Sequence, residues 1–127
     1  MPSDLNDLER TLQTYFDGLY EGDPAKLGAV FHEGAHLFSV ADGALNDLPR
    51  EKWFELVRAR GSAKSQGLSR NDFIVHIDRS SPTTAFAKVQ CQIPPHYFTD
   101  YLTLAKLTDG WKIVSKTFHT ETRQHIQ

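Results

Sequence analysis

The sequence is poor in cysteine and in long apolar runs, and both shortages narrow the class of protein. Cys91 is the only cysteine, so an internal disulfide is excluded. No apolar run approaches the length that crosses a bilayer, which predicts a protein that does not span a membrane. No basic segment precedes an apolar one near the N-terminus, so we expect no signal peptide and a cytoplasmic location.

The sequence also lacks a large excess of positive or negative side chains. The chain carries 14 Lys and Arg residues against 16 Asp and Glu residues, for a net charge of -2, and the basic residues are not clustered. This pattern argues against a nucleic-acid partner, which requires a basic patch. A chain of 127 residues is long enough to bury a core without disulfides, and we expect residues 1–127 to form a single domain.

The first half of the sequence predicts three helices. Ser3 or Asp4 caps the first helix and Gly22 ends it. Asp23-Pro24 begins the second helix as a cap followed by proline, and Pro49 begins the third. Apolar residues of the first helix recur at helical spacing and form one face: Leu5, Leu8, Leu12, Tyr15, Phe16 and Leu19.

The rest of the chain predicts strands. A short hairpin turns at Asp42-Gly43, two longer strands cover residues 71–79 and 83–93, and a final hairpin surrounds Asp109-Gly110. Asp-Gly is typical of tight hairpin turns, which need positive φ at both central residues. Helices followed by strands indicate an α+β domain in which the helices pack on one face of an antiparallel sheet.

The final hairpin predicts a specific pair of side chains. If Asp109 and Gly110 form the turn, Asp100 lies opposite His119. A carboxylate beside an imidazole can hold one tautomer of the histidine and support acid/base catalysis. The alternatives are a structural ion pair, or a shifted register in which Asp100 pairs with Lys106 or Lys116.

Other candidate groups predict no chemistry. Residues 32–36 match the H-E-x-x-H pattern of zinc proteases, but Gly34 and the strand-like residues after it break the helix that this site needs. We therefore expect neither a metal nor another cofactor. Lys88, Lys112 and Lys116 alternate with apolar residues and are predicted to lie on solvated strand faces. Cys91, in an apolar run, is predicted to be buried and inert.

Three segments of the chain resemble the nuclear transport factor 2-like superfamily: residues 15–23, residues 31–35 and residues 109–114. The branch that the sequence most resembles is the small bacterial proteins labelled putative lumazine-binding. Asp100-Tyr101-Leu102, Lys106, Trp111 and residues 116–119 fit that branch. The resemblance implies three helices around a strongly curved antiparallel sheet, forming a cone with a pocket. It also implies a homodimer through the outer face of the sheet.

The superfamily contains ketosteroid isomerases, which use a tyrosine, a carboxylate base and a protonated carboxylic acid. By resemblance, Tyr15 falls at the tyrosine, Ser39 near the base, and Asp100 in the strand of the second acid. Serine cannot act as the base, so the isomerase mechanism does not transfer unchanged.

Aromatic side chains and one histidine are the predicted lining of a ligand pocket: Tyr15, Phe16, Phe31, His32, Phe38, Trp53, Tyr101 and Phe118. They suit a small apolar or aromatic ligand, and the main alternative is a filled core. The sequence therefore predicts a small-molecule-binding protein. The alternative is an isomerase, dehydratase or cyclase with Asp100, His119 and Tyr15 as catalytic residues.

The final hairpin also predicts a partner. It carries Leu102, Leu104 and Ile113 on one face and Tyr101, Ala105, Val114 and Phe118 on the other. A sheet buried on one side alternates apolar with polar residues, so two apolar faces indicate a homodimer.

Overall fold

Two helices precede the first two strands, and a third helix follows them. The last four strands come after the third helix, with no helix between them. The computed structural model describes residues 4–123. Its elements are α1 Asp4–Glu21, α2 Pro24–Val30, β1 Phe31–Ala41, β2 Ala44–Pro49, α3 Arg50–Ala59, β3 Phe73–Ser81, β4 Thr84–Ile93, β5 His96–Leu107 and β6 Gly110–Thr122. Among these described residues, none of the helices combines the length and apolar character needed to cross a bilayer.

The predicted helix boundaries agree with the structure. The Asp23 side chain accepts hydrogen bonds from the backbone amides of Ala25 and Lys26, and Pro24 is the first residue of α2. Gly22 adopts a φ of 62°, which suits glycine at the end of α1. Ser3, the other predicted cap of α1, lies outside the described residues.

The six strands form one curved sheet in the order β2-β1-β6-β5-β4-β3. The prediction of an α+β fold with three helices on a curved sheet is confirmed, but the sheet is mixed. β1 runs parallel to β6, whereas the other neighbouring pairs are antiparallel. A parallel pair needs a long crossover connection, and the chain from β2 to β5 supplies it. That residues 1–127 form one domain stays a prediction.

The register of the last hairpin differs from the predicted one. Leu107 pairs with Gly110, so Thr108 and Asp109 form the turn, and a bulge shifts the pairing between Thr103 and Leu104. Asp100 therefore lies opposite Phe118, and His119 lies opposite Thr99. The predicted pairing of Asp100 with His119 is wrong. Because strand side chains alternate between faces, a change of one residue places the imidazole on the opposite side of the sheet.

The core lies between the helices and the concave face of the sheet, which we call the inner face. Its largest members are less than 2% exposed: Tyr15, Phe31, Leu8, Leu12, Leu27, Leu37, Leu102, Leu104 and Ile113. The bulge also moves Phe118 to this face, packed against the core, so its predicted place beside Tyr101 is wrong.

Gly18 lies where α1 packs against α2, and we expect its replacement by alanine to destabilise the protein. The added methyl would lie 2.8 Å from Leu27 Cδ2 and 3.2 Å from the Leu27 backbone nitrogen. Leu27 is fully buried and has no room to move aside. We expect Gly18→Ala to lower the free energy of unfolding by about 1–3 kcal/mol, measured by urea denaturation.

The matched control is Gly28→Ala in α2. A methyl at Gly28 would meet Phe54 at 3.6 Å, an ordinary packing distance. Because alanine favours the helix over glycine by up to about 1 kcal/mol, this variant should be at least as stable as the parent. Equal stability of the two variants would contradict the close approach at Gly18.

Candidate functional site

A cavity of about 160 Å³ opens between the helices and the inner face of the sheet. Its walls come from α1, α3 and strands β1, β2, β4, β5 and β6, and most of its lining is apolar. The apolar lining includes Leu37, Leu48, Trp53, Ile93, Phe98 and Phe118. Two cationic side chains, Lys116 and Arg60, interrupt this lining. We call this cavity the cone pocket.

Lys116 is the most unusual residue of the cone pocket, because it is a lysine that is only 5% exposed. It lies on β6 opposite Leu102, two residues from Phe118 and on the same face. Its Nζ lies 4.9 Å from the ring centres of both Trp53 and Phe118, and 5.2 Å from that of Tyr15. Aromatic rings attract a cation through their negative faces, so this aromatic cage stabilises a buried ammonium.

Asp100 provides the negative charge beside this lysine. It is fully buried, and its Oδ2 lies 3.8 Å from Lys116 Nζ. The Tyr15 hydroxyl donates a hydrogen bond of 2.5 Å to the same oxygen, and the Cys91 thiol lies 3.7 Å from it. Asp100 Oδ1 is buried and has no hydrogen-bond partner among residues 4–123. A buried carboxylate oxygen in this state is unusual, because buried polar atoms generally have a hydrogen-bond partner.

Tyr15 and Cys91, the neighbours of Asp100, keep their protons because they are buried. Burial, followed by the charge of Asp100, raises the pKa of the Tyr15 hydroxyl well above its usual value. Burial and the same charge also raise the pKa of the Cys91 thiol. Tyr15 is therefore a hydrogen-bond donor at neutral pH, and Cys91 is the inert thiol that the sequence predicts.

Arg60 provides the second positive charge, at the end of α3. Much of the residue remains exposed to solvent, yet it lines the cone pocket together with Leu56 and Trp53. Partial burial lowers the pKa of its guanidinium. An arginine stays protonated throughout the physiological range, so Arg60 presents a permanent cation at the pocket wall.

The structure brings together only some of the predicted site residues. Tyr15 and Asp100 meet beside Lys116, where both are fully buried and neither is part of the pocket lining. Trp53 and Phe118 line the cone pocket. Phe16 and Phe31 are core residues, 3% and 1% exposed, and they are absent from the pocket lining.

Four predicted site residues lie elsewhere. Tyr101 is 43% exposed on the outer face of the sheet, where it stacks on Phe86. Phe38 lies on this face as well, stacked on His36, and exposed His119 is there beside Thr99. His32 lines an open groove beside Arg50 and Lys112. These side chains cannot contact a ligand in the cone pocket, because their strand positions direct them away from it.

Arg60 is a site residue to which the sequence did not point. Lys116 was expected only as an alternative partner of Asp100 in a shifted register, and the structure places the two charges 3.8 Å apart. The prediction of a solvated strand face is wrong for Lys116, because its face covers the core. The inner-face position of Lys116 could have been inferred from its spacing from Phe118 and its pairing with Leu102, but both depend on the correct register.

Among the described residues no cluster of three metal-ligating side chains occurs, and the H-E-x-x-H segment lies within β1.

The comparisons with known proteins agree with this fold. Residues 3–119 match the model of the family described as "Putative lumazine-binding". The chain belongs to this family. The resemblance to the nuclear transport factor 2-like superfamily is thereby confirmed, and the three-helix cone with a curved sheet is the architecture on which the pocket is built.

The proteins to which this chain is similar carry different descriptions. Aldolase FrzH of Cladobotryum sp is 26% identical over 117 residues, which cover 89% of this chain and 88% of that protein. A protein of unknown function from Shewanella baltica OS155 has a TM-score of 0.84 and 25% identity, covering 94% of each chain. Another, from Methylobacillus flagellatus KT, has a TM-score of 0.80 and 27% identity, covering 94% and 93%.

Proposed function

We propose that this protein binds a compact, largely apolar small molecule in the cone pocket and holds one oxygen of that molecule at Lys116. The observation that carries the proposal is a buried ammonium on a pocket wall that is apolar apart from Lys116 and Arg60. Ligand pockets commonly combine apolar walls with a few polar groups that orient the ligand. The family model and the fold support a small ligand as well.

The charges of the cone pocket favour an anionic or carbonyl oxygen. Lys116 and Arg60 contribute two positive charges, and Asp100 contributes one negative charge that also accepts the Tyr15 hydroxyl. A buried charge without full compensation is costly, so a ligand oxygen near Lys116 would be stabilising. At about 160 Å³, the cavity is smaller than the pockets of roughly 300–1,000 Å³ that hold drug-sized ligands. The ligand should therefore be no larger than a single ring with a short substituent.

Benzoate is a suitable probe, because it combines one aromatic ring with a carboxylate. We expect it to shift the indole resonance of Trp53 in NMR spectra. Lys116→Met should weaken binding by about tenfold or more, since a hydrogen bond to a charged group contributes about 1.5–3 kcal/mol. The control is Lys52→Met, because Lys52 lies on α3 with a side chain that is 69% exposed. Equal affinity in both variants would contradict the proposed orientation.

A second candidate function is acid/base catalysis on a bound ligand. The short Tyr15–Asp100 hydrogen bond and the unpartnered Asp100 Oδ1 favour it, because that oxygen could take a proton from a ligand within hydrogen-bond reach. Lys116 would then stabilise the negative charge that forms on the ligand oxygen. The similarity to an aldolase of Cladobotryum sp is compatible with such proton transfer. His119 has no part in this scheme.

We further propose that the protein is a homodimer through the outer face of the sheet. Apolar and aromatic side chains occupy this face: Phe38, Val40, Phe73, Phe86 and Tyr101. Val40 is 72% exposed, Phe73 45% and Tyr101 43%. An apolar surface of this kind marks an interface more often than a solvated face. The cytoplasmic location stays a prediction.

The dimer can be tested at Tyr101. We expect light scattering to give the mass of a dimer for the parent and of a monomer for Tyr101→Lys, because a buried unpaired ammonium would destabilise the interface. Lys52→Glu, on the helical side of the molecule, should remain a dimer. A parent protein that is monomeric at micromolar concentration would contradict the proposal.

A further inference from the structure

The Lys116 amine lies on the wall of the cone pocket and is nearly buried. The side chain is 7% exposed, lines the cone pocket, and is held from three sides by the rings of Tyr15, Trp53 and Phe118. Its ion-pair partner, Asp100 Oδ2, lies at 3.8 Å, which is longer than a hydrogen bond. The amine is thus confined to one place in the pocket without being bound tightly to the carboxylate.

We infer that Lys116 forms a covalent imine with the aldehyde or ketone group of a small carbonyl compound bound in the cone pocket. This inference rests on the proposed ligand-binding function of the same pocket. Lysine amines enclosed in apolar pockets are established nucleophiles toward carbonyl substrates. The positive charge of Arg60 on the same pocket wall favours a carbonyl compound that also carries a carboxylate, such as a 2-oxo acid.

The chemical step balances without an oxidant or reductant. The Lys116 ammonium first gives one proton to Asp100, and its lone pair then forms a bond to the carbonyl carbon. The carbonyl π electrons move to the oxygen, which takes one proton from the nitrogen and the other back from Asp100. The oxygen then leaves as water while the nitrogen lone pair forms the C=N bond. In total, one ammonium and one carbonyl compound yield one protonated imine and one water molecule, and the charge is unchanged.

The neighbouring groups are placed to move these protons. Asp100 Oδ2 accepts the Tyr15 hydroxyl at 2.5 Å and lies 3.8 Å from the lysine nitrogen, so one carboxylate connects both groups. Asp100 Oδ1 has no partner among residues 4–123 and can accept a proton. The apolar walls limit access of bulk water, which would otherwise hydrolyse the imine.

Reductive trapping tests the inference. The full-length protein is incubated separately with pyruvate, glyoxylate and benzaldehyde in the presence of cyanoborohydride, which reduces an imine to a stable amine. Intact-mass spectrometry counts the adducts, and peptide mapping assigns them. We expect one adduct, on Lys116, formed before any adduct on Lys52, although the Lys52 side chain is 69% exposed. The single adduct should be lost in Lys116→Met and Lys116→Arg and retained in Lys52→Arg.

Two results would overturn the inference. One is labelling of exposed lysines ahead of Lys116 by all three probes, and the other is an adduct that persists in the correctly folded Lys116→Met and Lys116→Arg variants. Binding of the same probes is followed by NMR without the reductant. If Trp53 shifts while Lys116 stays unlabelled, the imine is wrong and the ligand-binding proposal stands. If neither occurs, while benzoate also fails to bind, both are wrong.

Discussion

Replacing Asp100 with alanine is expected to lower the free energy of unfolding by about 3–5 kcal/mol, because it removes one partner of a buried ion pair. Asp100 is fully buried, accepts the Tyr15 hydroxyl at 2.5 Å and lies 3.8 Å from Lys116 Nζ. Without it, an ammonium and a hydroxyl stay buried and lose their acceptor. Urea denaturation at neutral pH measures the effect.

The matched control for this substitution is Asp109→Ala. Asp109 also pairs with a lysine, Lys112, at 3.5 Å, but its side chain is 69% exposed. Exposed pairs contribute about 0–1 kcal/mol, so the control should be close to the parent in stability. A loss at Asp100 no larger than the loss at Asp109 would show that burial adds nothing to the pair.

A double-mutant cycle separates the pair from its surroundings. Asp100→Leu alone leaves the Lys116 ammonium buried and unpaired. Lys116→Met alone leaves the Asp100 carboxylate buried without the ammonium. The double variant carries neither charge and fills the site with apolar atoms. Its loss of unfolding free energy should therefore be smaller than the sum of the losses in the two single variants, by about 0.5–3 kcal/mol. Additive losses would contradict a direct interaction.

The second large effect is expected at alkaline pH. Tyr15 and Cys91 have raised pKa values in the folded protein, against 10.0 and 9.0 as ordinary values. Above those values the unfolded chain loses both protons while the folded protein keeps them. Unfolding therefore becomes more favourable as pH rises, by about 1.4 kcal/mol per pH unit for each group. At about pH 11, the summed loss relative to pH 7 is about 4 kcal/mol.

Urea denaturation from neutral to alkaline pH measures this loss of stability. Two variants separate the contribution of Tyr15 from that of Cys91. Tyr15→Phe should remove the Tyr15 share, which begins above its ordinary pKa of 10.0. Cys91→Ala should remove the share that begins above 9.0. As a control, absorbance titration of the folded protein should show the same tyrosinate signal with and without Tyr15, because Tyr15 stays protonated. A parent protein whose stability is unchanged across this range would contradict the burial of both groups.

The boundaries of the helices could be predicted because they depend on local chemistry. Asp23 and Pro24 begin α2 through a capping hydrogen bond and a fixed φ, and these act within a few residues of one another. The apolar face of α1 likewise follows from its spacing, and Leu8, Leu12 and Tyr15 are all buried.

The partners in the candidate site could not be predicted in full, because they depend on the register between strands. The turn uses Thr108 and Asp109, and the bulge beside Leu104 shifts the strands once more. The turn moves the pairing by two residues and keeps the faces, so it is the bulge that places Phe118 on the inner face and His119 on the outer face. Tyr15 and Asp100 were predicted individually, but their hydrogen bond joins residues 85 positions apart in the chain.

The sequence by itself determined the fold class, the family resemblance and the identity of the two polar groups beside Lys116, because periodicity, caps and motifs are properties of short segments. Only the tertiary structure decided that Lys116, and not His119, lies beside Asp100. The physical reason is that side chains alternate between the two faces of a strand. A single extra residue in a strand exchanges the buried side chains for the exposed ones.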